Sequence, residues 1–115
     1  NFLVKFKNSA GLAAKIRRRL REMPPAAWPD FDTLARQFHS SAATLRRRLD
    51  EEGESYRSIM DDLRRDLAIS LLSDTQHSIA DIAGELGFAE SSAFHRAFKK
   101  WTGIRPGEYR YSVER

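Results

Sequence analysis

The sequence predicts an all-α fold of seven helices, arranged as two helix-turn-helix units joined by a long linker helix. Three observations predict it. Apolar residues after Gly11 recur with helical period and nowhere alternate convincingly as a strand. Prolines, glycines and capping residues interrupt those stretches at helical lengths. A pattern that begins at Leu34 returns roughly one half-chain later.

The elements follow in order. Phe2-Leu3-Val4-Lys5-Phe6 reads as a leftover strand of an upstream domain or a disordered end, and residues 1–10 are assigned as a tail or remnant without function. Leu12, Ile16 and Leu20 make one apolar stripe, with arginines around the rest, so the first helix is amphipathic. Pro24-Pro25 ends it, because proline supplies no amide and disfavours helix in the residue before it. Asp30 or Asp32 caps a second helix carrying Phe31, Leu34, Ala35 and Phe38, which ends near His39-Ser40. Ser41 caps a third, ended near Glu52 by Gly53.

Ser55 caps the linker helix, which runs to about Leu72 with a predicted buried stripe of Tyr56, Ile59 or Met60, Leu63, Leu67 and Leu71. Its roughly 18 residues span about 27 Å. A fifth helix is expected from Ser78 or Ile79 to Leu86 and a sixth from about Glu90 to Trp101, stopped by Gly103. A short seventh starts at Pro106, where a missing amide costs nothing. The resulting division is residues 11–53 for the first unit, 54–73 for the linker and 74–115 for the second unit.

The repeat identifies the motif. Leu34-Ala35, Phe38, Leu45 and Leu49 correspond to Ile82-Ala83, Leu86, Phe94 and Phe98. Each copy is a short helix, a turn and a second helix, with a small Ala where helices approach closely. With Leu45 at 0° and 100° per residue, Leu49 falls at about 40° and the outward pole near roughly 200°. Arg47 sits at that pole, Ala43 beside it, Thr44 and Arg46 on its flanks, and Arg48 nearer the core edge. Phased from Phe94, the second copy puts Arg96 at the same pole, with Ser92 and Lys99 beside it and His95 and Lys100 on the flanks. Both copies thus aim an Arg outward from one place. A helix in the major groove needs donors there, and Arg grips guanine O6 and N7 with two parallel bonds.

Charge agrees. The 115 residues carry 20 Lys and Arg against 16 Asp and Glu, a net +4 that is unevenly placed. Residues 1–21 hold seven positive charges and no acid, residues 50–66 are predominantly acidic, and residues 95–115 are basic again. Two basic regions separated by an acidic one suggest two contacts with a polyanion. Zero Cys removes disulfides, thiolate nucleophiles and thiolate metal sites together. His39, His77 and His95 lie far apart without ligand spacing, and no glycine-rich phosphate loop appears. No enzyme, metal or cofactor is therefore expected. No apolar run approaches a membrane span and no signal peptide opens the chain, which places the protein in the cytoplasm, at the nucleoid, with no membrane contact. The chain opens on Asn1 rather than Met and reads as a piece of a longer protein.

The sequence resembles the DNA-binding domain of AraC/XylS-family bacterial transcription regulators. The most specific stretches are Ser78 to Phe88, Ser91 to Gly103 and Arg105 to Arg110, with Thr44-Leu45-Arg46-Arg47-Arg48-Leu49, Glu52-Gly53 and Ser55-Tyr56 in the first half. The resemblance runs from about Gly11 to Arg110. It implies two recognition helices held by the linker in successive major-groove segments of double-stranded DNA, in a transcription regulator that acts as an activator or a repressor. Base-reading positions fall by similarity on Ala43 and Arg47, and on Ser91, Ser92, His95 and Arg96. Candidate phosphate contacts are Ser41, Thr44, Arg46, Arg48, Lys99 and Lys100, with Arg105 or Arg110 as further candidates. RNA polymerase and an N-terminal effector or dimerisation domain are the other implied partners. The alternative is a helical protein-interaction adaptor that does not read DNA.

Three departures from the family pattern stand out. His39 occupies a turn position usually held by Gly, where φ can be positive. Ala89 stands where a Ser is a common cap, which leaves Glu90 or a weak cap, and Arg105 stands where a Ser would cap the last helix. Asp50, Glu51 and Glu52 would repel phosphate, so that end of the third helix is expected to tilt away from a duplex.

Overall fold

The computed structural model describes residues 11–114. The segment Phe2–Phe6, with Lys5 and Lys7 of the basic N-terminal stretch, lies outside them. Among the described residues there are seven α-helices and no strand: α1 (Leu12–Arg21), α2 (Phe31–Gln37), α3 (Ala42–Glu51), α4 (Tyr56–Asp74), α5 (Ile79–Glu85), α6 (Ser91–Thr102) and α7 (Pro106–Glu114). A 3-10 turn, Pro25–Ala27, starts on the second residue of the double proline. The all-α expectation holds.

The described residues fall into two compact units. One comprises those up to Met23 together with Ala27–Met60, and the other Pro24–Ala26 with the residues from Asp61 onward.

The core of the first unit is aliphatic. Leu12, Ala13, Ile16 and Leu20 of α1, Leu34 and Ala35 of α2, Leu45 and Leu49 of α3, and Tyr56 and Ile59 of α4 are all buried. Helix starts are set by the expected residues. Asp30 caps α2 by accepting the Thr33 amide at 2.8 Å, and that hydrogen bond holds its carboxyl below the ordinary carboxylate range. Ser41 caps α3 through the Thr44 amide. Before α4, Ser55 and Ser58 exchange bonds in both directions, each hydroxyl accepting the other's amide. Gly11 offers α1 no side-chain acceptor, and the cap comes from far along the chain. The Leu12 and Ala13 amides donate to the two carboxylate oxygens of Glu52 at 2.8 and 3.0 Å. Glu52 is thus a structural cap rather than one more charge of an acidic run. A Cβ on Gly11 would lie 2.8 Å from the Glu52 carboxylate, which explains the glycine.

The second unit is built around aromatic rings. Ala68, Leu72, Ile82, Ala83, Leu86, Phe94 and Phe98 are buried, with Phe88, Trp101 and Tyr109 packed against them. Ring centroids lie 5.7 Å apart for Phe88 and Phe94, 5.8 Å for Phe94 and Phe98, and 5.8 Å for Phe98 and Tyr109. Ser78 caps α5 through the Asp81 amide. The start of α6 falls to Glu90, whose side chain makes no capping bond.

One expectation needs correction. Tyr56, Ile59 and Leu63 are buried in α4 as predicted, but the stripe continues through Ala68 and Leu72, leaving Leu67 and Leu71 half-buried. A single helical period assumes one core, whereas α4 contributes its first turn to one unit and its remainder to the other.

Candidate nucleic-acid interface

Each unit contains a helix-turn-helix whose turn has the same hydrogen bonds. In the first, the His39 amide donates to Arg36 O and the Ser40 amide to Ala35 O; in the second, Gly87 donates to Gly84 O and Phe88 to Ala83 O. This is the Schellman pattern, which requires a left-handed residue. His39 supplies it at φ 55° and Gly87 at φ 89°. Across this turn Ala35 and Ala83, both buried, let the helices approach.

Beyond the turn, α3 buries Leu45 and Leu49 and α6 buries Phe94 and Phe98, as phase predicts. Ala43 and Arg47 are exposed on α3, as are Arg46 and Arg48. On α6, Ser92, Arg96, Lys99 and Lys100 are exposed and Ser91 and His95 half-buried.

Their local partners differ. Arg47 Nη1 lies 3.4 Å from Glu51, one turn on, with both side chains 63% exposed. The Arg46 guanidinium stands over the Phe31 ring, 5.0 Å from its centroid. Ser41 and Thr44 are joined to each other, the Ser41 hydroxyl donating to Thr44 Oγ1 at 3.0 Å. By contrast, no ion pair of Arg96, Lys99 or Lys100 is seen among the described residues. The Arg47 and Glu51 pair was open to discovery from its i, i+4 spacing. Of the further phosphate candidates, Arg110 is committed elsewhere: its guanidinium donates to the carbonyls of Leu71, Leu72, Thr75 and His77. Arg105 is exposed, 3.9 Å from Glu108.

A family model described as "Helix-turn-helix domain" matches residues 34–112. The ornithine utilization regulator of Pseudomonas aeruginosa is 44% identical over 100 residues, covering 87% of this chain. The chain belongs to the AraC-type helix-turn-helix family. An AraC-type regulator structure from Chromobacterium violaceum shares the fold, at 24% identity and a TM-score of 0.77 over 88% of this chain and 91% of that one. The DNA-binding domain of AdpA, solved with a target DNA, matches at 25% identity and a TM-score of 0.78 over 89% of this chain and 92% of that one.

The AraC-type domains are DNA-binding modules of transcription regulators, which supports that class over the protein-interaction adaptor. The chain spans 29% of the length of the ornithine regulator. Among the described residues no helix is long and apolar enough to cross a membrane.

Proposed function

We propose that this AraC-type domain binds double-stranded DNA sequence-specifically, as part of a bacterial transcription regulator, with α3 and α6 in successive major-groove segments. Residues 11–53 and 74–115 are the two reading units and 54–73 the linker helix. One observation carries the reading. Two copies of one motif each bury the inward face of their second helix and expose an Arg at the same outward phase, Arg47 and Arg96. The linker helix α4 has 19 residues and is about 28 Å long, of the order of the ~34 Å between groove segments one turn apart.

Ala43, Arg47, Ser91, Ser92, His95 and Arg96 read base edges, while Thr44, Arg46, Arg48, Lys99, Lys100 and the helix starts near Ser41 and Ser91 hold phosphates. The AdpA domain, bound to its target DNA, supports this partner. An upstream effector or dimerisation domain, contact with RNA polymerase and a cytoplasmic, nucleoid-associated location complete the proposal on family grounds.

Selection of bound sequences from a random duplex pool tests it. Two enriched segments about one helical turn apart are expected, and recovery of none overturns the reading. Lys99→Ala should weaken selected and random duplexes alike and lower the salt slope by about one. An unchanged slope removes Lys99 from the interface.

A further inference from the structure

We propose that Glu51 is a specificity-determining residue, which weakens the hold of Arg47 on phosphate more than its hold on a base edge. This deepens the DNA-reading proposal and rests on it. Arg47 Nη1 is 3.4 Å from both Glu51 carboxylate oxygens. On α3, Glu51 falls at about 240° against about 200° for Arg47, so the pair shares the outward face. In the second unit the residue one turn beyond Arg96 is Lys100, an exposed cation. The two reading helices therefore carry opposite charges one turn beyond the outward Arg.

A random duplex attracts an Arg through phosphate charge, released counterions supplying the free energy. At Arg47 that attraction meets a guanidinium already paired and a carboxylate that repels the approaching phosphates. A guanine edge instead carries no net charge for the Glu51 carboxylate to repel, and its O6 and N7 accept two guanidinium bonds. Glu51 thus leaves the matched base as the favourable exchange partner.

Glu51 is exposed, so its substitution leaves the core intact. The test measures dissociation constants and salt slopes on a duplex recovered by selection and on a random duplex of equal length. Glu51→Gln should tighten the random duplex by about twofold, the strength of an exposed helical pair, and steepen its salt slope by up to about one. The selected duplex should not change measurably. In an Arg47→Ala background the Glu51→Gln effect should vanish. Asp50→Asn, which removes the neighbouring charge without touching the pair, should shift both duplexes equally.

The proposal is overturned if Glu51→Gln tightens both duplexes alike, if Asp50→Asn reproduces its selectivity, or if the effect survives without Arg47. If Arg47→Ala weakens the selected duplex while Glu51→Gln does nothing, only this role of Glu51 fails. If Arg47→Ala leaves the selected duplex untouched, α3 is not a reading helix and both readings fall.

Discussion

The two units repeat one motif and stabilise it by different means. In the first, a core of leucines and isoleucines is braced by ions: Glu52 caps α1, and Arg17 meets Glu54 at 2.8 Å. In the second, tilted and edge-on rings fill the core, and Arg110 braces it by gripping backbone carbonyls. What both retain is narrower: a buried Ala, a left-handed turn residue, two apolar residues four apart, and an Arg at the outward pole. Those shared features position a reading helix; the rest is free to vary with whatever buries enough apolar surface.

The largest effects should come from the equivalent core positions. Phe98→Ala is expected to cost about 3–5 kcal/mol and Leu49→Ala about 2–5 kcal/mol in denaturant unfolding. If either melts like the wild type, the phase that places Arg47 and Arg96 outward is wrong. Next in size, Arg96→Ala and Arg47→Ala should each cost about 1–3 kcal/mol on a selected duplex and relax preference at one base position. Equal losses on random DNA would make them phosphate clamps.

Glu52→Ala probes the ionic bracing of the first unit and should cost about 1–2 kcal/mol of stability, since it strips two amides of their acceptor. A change below a few tenths would show that water replaces the cap. The smallest effect compares the two turns. His39→Gly should raise stability by about 0.5–1 kcal/mol, because glycine meets a positive φ without a Cβ penalty. Gly87→His should lower it by a similar amount, the added Cβ standing at an ordinary 3.5 Å from Pro25 and Ala26. A loss of stability in His39→Gly would mean the imidazole does more than occupy the turn.

Much of this was legible in the sequence where the cause is local. Ser41, Ser78 and Asp30 cap as side-chain chemistry dictates, and Leu45 with Leu49 and Phe94 with Phe98 mark the inward faces through helical period alone. The weak start of α6 and the strained turn at His39 were equally visible as departures from good capping and from glycine. What escaped depends on residues distant in sequence. Glu52 read as a phosphate-repelling acid because nothing near it reveals that the start of α1, 40 residues away, lies against it. Arg110 read as a phosphate candidate because its four carbonyl acceptors come from a helix end and loop more than 30 residues earlier. Ala68 and Leu72 escaped because periodicity assigns one buried face to a helix that serves two cores.

The Arg110 grip also sets how far the polypeptide can be shortened from its C-terminal end. A stop after Tyr109 would remove the four hydrogen bonds that hold the end of the linker helix and the loop after it, whereas a stop one codon later would keep them. Two truncations differing by a single residue should therefore separate sharply in protease resistance of the loop at Thr75 to His77, a simple handle for anyone tagging or trimming this domain.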